Sequence, residues 1–89
     1  MVKIKVNISG IYNKRTLDKK DIIFLEDGSS IEKLLNEVSR KYRAGISPKC
    51  IEDRKIVCVL NDDIVQVEDL SKKVDKDSEL SIMQPIAGG

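Results

Sequence analysis

The sequence predicts an α+β domain in which a mixed sheet of four to five strands packs on one main helix. Three observations carry this. Apolar and polar residues alternate near both ends of the chain, the period of two that marks strands with one buried face. Between them, one stretch places its apolar residues at helical spacing and has start and stop signals at its two ends. It is followed by a β-branched run long enough for a buried strand and too short for a helix. Eighty-nine residues suffice for one domain with a modest core. A helix and a sheet that each bury one face then pack on one another.

The elements follow in order. Val2, Ile4, Val6 and Ile8 alternate with Lys3, Lys5 and Asn7, giving a first strand over residues 2–8. Ser9-Gly10 breaks the pattern, and residues 12–20, polar and with turn formers at Asn13 and Asp18, read as a loop. Residues 21–26 form a second strand, nearly all apolar in its middle, so that its inward face stays open. A loop of about ten residues makes these two strands an antiparallel pair. Asp27-Gly28 ends the second strand, and Ser29 with Glu32 three residues on is a capping box. Ile31, Leu34, Leu35, Val38 and Tyr42 then form one helical stripe. Lys41 and Arg43 suit the negative end of the helix, Gly45 is a stop, and Pro48 lies beyond it.

Residues 46–54 read as a polar connection and residues 55–60, Lys-Ile-Val-Cys-Val-Leu, as a central strand. Asn61-Asp62-Asp63 is turn chemistry, and residues 64–67 are a short return strand. Residues 68–73 are a 3₁₀ turn or a loop, with Leu70 and Val74 anchored inward. After a turn at residues 75–78, residues 79–84 form the final strand, with Leu80 and Ile82 on one face and Ser81 and Met83 on the other. One helix across a mixed sheet in this order is the β-grasp, or ubiquitin-like, arrangement. It pairs the last strand with the first, in parallel, at the centre of the sheet. Pro85 fixes φ and has no N–H to donate, so the strand stops there. The chain divides into a β-grasp domain, residues 1–84, and an extended flexible tail, residues 85–89. The tail reaches at most roughly 17 Å. Its last two residues, Gly88 and Gly89, have no side chains and suit a narrow channel.

Composition bounds the function. Sixteen basic residues nearly cancel fifteen acidic ones, and a net charge of +1 argues against a nucleic-acid or membrane-surface role. One Phe, two Tyr and no Trp leave little to stack on bases. No apolar run approaches the ~18 residues of a membrane span, and the first residues lack the apolar block of a signal peptide. The expected location is cytoplasmic. Cys50 and Cys58 are the only cysteines and there is no His, so no zinc site is expected. Cys58, inside an apolar run, reads as a buried small hydrophobe; the exposure of Cys50 stays open. Lys14-Arg15, Lys19-Lys20 and Lys72-Lys73 read as solvated surface. No Ser/His/Asp set, paired carboxylates or phosphate loop is evident, so an independent catalytic site is not expected. The reactive group on offer is the terminal carboxylate.

The ending Gln84-Pro85-Ile86-Ala87-Gly88-Gly89 resembles that of the ubiquitin-like sulfur carriers of the MoaD/ThiS family. It is most similar to MoaD, the small subunit of molybdopterin synthase, with the ThiS carriers of thiamin synthesis next. The resemblance spans the whole chain in length and element order, and Leu60-Asn61 and an apolar Ile64 are also similar to the family. Gln84 stands where the family often has a first proline. Asn7 and Met83 stand where MoaD proteins often carry aromatics.

The resemblance implies that an E1-like adenylating enzyme, using ATP, activates the Gly89 carboxylate. A sulfur donor such as a cysteine desulfurase then converts it to a thiocarboxylate. The sulfur passes to a pterin precursor in a MoaE-like large subunit of molybdopterin synthase. Gly88 permits close approach beside the reacting Gly89. Met83, Ile64, Pro85, Ile86 and Ala87 are the expected partner contacts. For Ile64, a core position in the short strand is the alternative. No bound cofactor or metal is implied; the chain is a sulfur-donating subunit or co-substrate. Two other readings are a ubiquitin-like modifier joined to lysines through Gly89 and an interaction domain with an inert tail.

Overall fold

A computed structural model describes residues 1–85. The chain forms strand β1 (Val2–Tyr12), strand β2 (Arg15–Leu25), helix α1 (Ile31–Tyr42), short helix α2 (Pro48–Glu52), strand β3 (Val57–Leu60), strand β4 (Asp63–Ile64), a 3₁₀ turn (Val67–Asp69) and strand β5 (Ser78–Met83). The five strands make one sheet in the order β2-β1-β5-β3-β4. β5 runs parallel to β1, from Ile4 opposite Ser78 to Ile8 opposite Ile82, and antiparallel to β3. This is the β-grasp arrangement, with the last strand at the centre of the sheet.

The core lies between one face of this sheet and α1. Val2, Ile4, Val6 and Ile8 of β1, Cys58 of β3 and Leu80 and Ile82 of β5 are buried together with Ile31, Leu34, Leu35 and Val38 of the helix. Alternation on the strands and the i, i+3, i+4, i+7 stripe on the helix thus meet in one layer. Leu70 and Val74 close its end, buried as the sequence indicates.

The expected loop over residues 12–20 is instead the middle of a long hairpin. β1 and β2 are each eleven residues long and join through Asn13-Lys14 alone, at φ 50° and 65°. Two successive left-handed residues match the right-handed twist of paired strands. Tyr12 and Leu17 are core residues, and the Tyr12 hydroxyl donates to the Ser9 carbonyl at 2.8 Å. Ser9-Gly10 interrupts the alternation without ending the strand.

The helix begins one residue later than the Ser29–Glu32 box implies. Ser29 is held outside it: its N–H donates to the Glu26 carbonyl at 3.1 Å, and its own carbonyl accepts from the Val74 N–H at 2.8 Å. Ser30 is the cap, its hydroxyl accepting from the Lys33 N–H at 3.1 Å. The stop is Arg43, left-handed at φ 53°, two residues before Gly45. The hairpin turn caps this end. The Asn13 side-chain amide donates to the Arg43 carbonyl at 2.7 Å, and the Arg15 guanidinium donates to the Tyr42 carbonyl. A cation at the C-terminus of a helix is the favourable placement.

Two further differences lie between α1 and β5. The connection over residues 46–54 contains α2, started by Pro48 in its first turn. The return strand is confined to Asp63–Ile64; Val65, just past it, is buried and its N–H still donates to the Cys58 carbonyl at 2.8 Å.

Candidate functional site

Four residues singled out from the sequence, Ile86, Ala87, Gly88 and Gly89, lie outside the described residues. Pro85 is the last described residue and is exposed. What the fold defines is the platform that leads to it. β5 is paired on both sides, to β1 and to β3.

The platform has an open face, opposite the helix. Lys20, Asn7, Ser81, Val59 and Ile64 are successive partners across all five strands and form one row on that face. In the next row towards Pro85, Met83 stands opposite Val57. Val57, Val59, Ile64 and Met83 thus collect as an apolar patch on the half of the sheet where the chain runs into Pro85. Ile64 is 60% exposed and Met83 39%, so Ile64 is a surface residue and not part of the core. Val57 and Val59 are half-buried. Sequence reasoning missed these two because the run from Ile56 to Leu60 is apolar throughout and shows no alternation. At the far edge of the face, Ile22 and Phe24 of β2 are exposed as well, at 48% and 62%.

Two polar side chains brace β5. Asn61 occupies the left-handed turn after β3, at φ 50°. Its side chain accepts from the Glu79 N–H at 2.9 Å and donates to the Ser78 hydroxyl at 3.0 Å. At the other end of the strand, the Gln84 side-chain oxygen accepts from the Ile11 N–H at 2.8 Å, and the Gln84 side-chain nitrogen donates to the Ile11 carbonyl.

The sequence profile of the ThiS family matches residues 11–89, from the end of β1 through Gly89. The chain belongs to the ThiS family. Two solved structures have the same fold as this ThiS-family chain. The solution structure of the Haloferax volcanii HVO 2177 protein is 18% identical, with a TM-score of 0.67, covering 99% of this chain and 87% of that one. The crystal structure of SAMP1 from Haloferax volcanii is 12% identical, with a TM-score of 0.63, covering 98% and 99%. At these identities the likeness is one of fold. No curated protein matches the chain.

Among the described residues of this ThiS-family protein, no group of three or more His, Cys, Asp or Glu side chains is placed to hold a metal ion. No described helix is long and apolar enough to cross a membrane. The titratable groups in the interior are kept neutral. Burial pushes the Cys58 thiol up to about 12, and burial likewise pushes the Tyr12 phenol up to about 12. The thiolate is the reactive form of cysteine. At pH 8 an alkylating reagent is therefore expected to leave Cys58 unmodified in the native protein and to label it only in denaturant. Cys50, half-buried on α2, is the thiol open to reagent. Equal native labelling of both, read by peptide mass, would contradict the buried environment of Cys58.

Proposed function

We propose that this ThiS-family protein is a sulfur carrier. Its Gly89 carboxylate is adenylated and converted to a thiocarboxylate, and the sulfur serves molybdopterin synthesis. The observation that carries the reading is that the ThiS match extends through Gly89, six residues beyond Met83, where the pairing of the central strand ends. That strand is held on both sides, so the group it carries is presented from a rigid element.

The chemistry needs little from the carrier. A carboxylate oxygen of Gly89 attacks the α-phosphate of ATP on an E1-like partner, and pyrophosphate leaves. The terminal sulfur of a persulfide, supplied by a cysteine desulfurase, attacks the acyl-adenylate carbon, and AMP leaves. A second thiol then cleaves the sulfur–sulfur bond, releasing the thiocarboxylate and a disulfide. ATP is used by the partner, and the carrier binds no cofactor of its own. Pro85, Ile86 and Ala87 line the entry to the partner's channel, Gly88 and Gly89 pass through it, and a MoaE-like subunit receives the sulfur. These steps belong to the cytoplasm.

Ile64 and Met83 are the docking anchors, being the exposed members of the apolar patch nearest Pro85. Ile64→Asp and Met83→Asp are each expected to raise the KM of the adenylating enzyme for the carrier about tenfold, the loss typical of an interface anchor. The melting temperature is expected to stay near that of the wild type. Unchanged KM in both variants would remove the open face from the interface.

A second reading shares the first step. A lysine amine attacks the acyl-adenylate and an isopeptide bond forms, making the chain a protein modifier. The family and the fold support it as well as the first reading up to the adenylate. The deciding experiment uses protein from its native host, cleaved after Lys76. The peptide over residues 77–89 contains no Cys, so alkylation localised to Gly89 reports a thiocarboxylate. An isopeptide bond to a lysine supports the modifier. An unmodified carboxylate, even after incubation with ATP, a matched adenylating enzyme and a sulfur donor, overturns the carrier reading.

A further inference from the structure

Ladder pairing between β1 and β5 reaches Ile8 opposite Ile82, yet β1 continues to Tyr12. The next main-chain groups of β1 that face β5 are those of Ile11. β5 ends at Met83 and its ladder with β1 at Ile82, so no backbone bond of β5 reaches them. Gln84 supplies the missing rung with its side chain. The carboxamide offers, like a peptide group, an acceptor oxygen and a donor nitrogen in one plane. Its oxygen takes the Ile11 N–H at 2.8 Å, and its nitrogen donates to the Ile11 carbonyl.

Gly10 is the other half of this arrangement. A Cβ at residue 10 would lie 2.7, 2.8 and 3.0 Å from three atoms of the Gln84 side chain. Only a residue without a side chain lets the carboxamide lie along the strand at this point. Gly10 also has φ +124°, outside the range that other residues readily adopt.

We propose that Gln84 is a positioning residue: its carboxamide, seated on Gly10 and bonded to both main-chain groups of Ile11, fixes the point and direction at which the chain leaves the sheet. By taking the rung with a side chain, the protein frees the main chain at Pro85 to turn away while its base stays clamped. The inference rests on the carrier reading, since a fixed departure matters when the segment beyond must enter a partner's channel. Pre-ordering that base lowers the entropy lost on docking. It should act on encounter and binding and leave the chemical step alone.

The test has two independent arms. In the first, amide exchange at Ile11 is followed by NMR in the wild type, Gln84→Ala and Gln84→Glu. Gln84→Ala should lose protection at Ile11 while Val6 and Ile8 keep theirs. Gln84→Glu can accept from the Ile11 N–H but cannot donate to its carbonyl, so it should fall between. Unchanged protection at Ile11 in Gln84→Ala overturns the clamp. In the second arm, ATP–pyrophosphate exchange by a matched adenylating enzyme is measured against carrier concentration. Gln84→Ala should raise KM for the carrier about fivefold, ~1 kcal/mol, with kcat unchanged. Equal KM values overturn the positioning role. An equal fall in kcat with KM constant also overturns it, since that would place Gln84 in the chemistry. If the wild type is not activated at all, the carrier reading falls and the positioning role with it. The Ile11 exchange arm would still report separately whether the clamp exists.

Discussion

Gly89→Ala, or deletion of Gly89, is expected to lower the rate of sulfur loading about 100-fold or more, the scale on which a small misplacement at a reacting centre is felt. The added methyl group sits on the carbon bonded to the carboxylate whose oxygen must meet the α-phosphate. Neither change touches the core, whose members run from Val2 to Ile82. The melting temperature and the amide spectrum of the domain should therefore match the wild type. Loading is read by alkylation of the C-terminal peptide in a reconstituted reaction with ATP, the adenylating enzyme and a sulfur donor. A Gly89→Ala protein loaded at the normal rate would falsify the assignment of Gly89 as the reacting residue.

Leu80→Ala is expected to have the largest effect on the fold. Leu80 is 0% exposed and sits in β5, opposite Val6 of β1 on one side and Leu60 of β3 on the other. The variant removes a methine and two methyl groups from a site enclosed by neighbours on both strands and by the helix. Such truncations cost roughly 3–4 kcal/mol when the cavity cannot collapse. A domain of this size holds only about 5–10 kcal/mol in total. The melting temperature should fall by roughly 15–25 °C, measured by circular dichroism. A drop of a degree or two would mean that the centre of the sheet is far looser than its packing indicates. Sulfur loading at low temperature should persist, because the face proposed to dock the partner is the other one.

The elements that were legible in the sequence are those whose apolar residues all serve one buried face. Ile31, Leu34, Leu35 and Val38 spelled out the helix, and Leu80 with Ile82 spelled out the last strand and turned Met83 outward. The antiparallel pairing of the first two strands was legible, but the length of the hairpin was not. β2 is an edge strand whose middle, Asp18 to Asp21, is charged on both faces, so no period of two appears there. The Asn13-Lys14 turn also lacks the glycine that usually signals a two-residue connection. The start of the helix was misplaced by one residue because the Val74–Ser29 bond, between segments far apart in sequence, decides which serine can cap. The short helix α2 has too few residues for any periodicity.

In the candidate site the same limits apply. Ile64 lies in a two-residue strand, which has no pattern to say which way it points. Val57 and Val59 are masked by the continuous apolar run around them. The seat of Gln84 depends on Ile11, 73 residues away, and only the topology brings the two together. Gly88 and Gly89, singled out for having no side chains, lie outside the described residues.

The central placement of β5 has a mechanical consequence. Its backbone bonds to β1 and β3 run across the strand direction. Traction on the segment beyond Pro85 therefore pulls along β5 and loads both ladders in shear. Bonds loaded in shear yield together, whereas an edge strand pulled aside peels away one bond at a time. A partner can draw the chain end taut in its channel without unravelling the domain behind it. The same pull applied to β4, two residues long at the edge of the sheet, would meet almost no resistance.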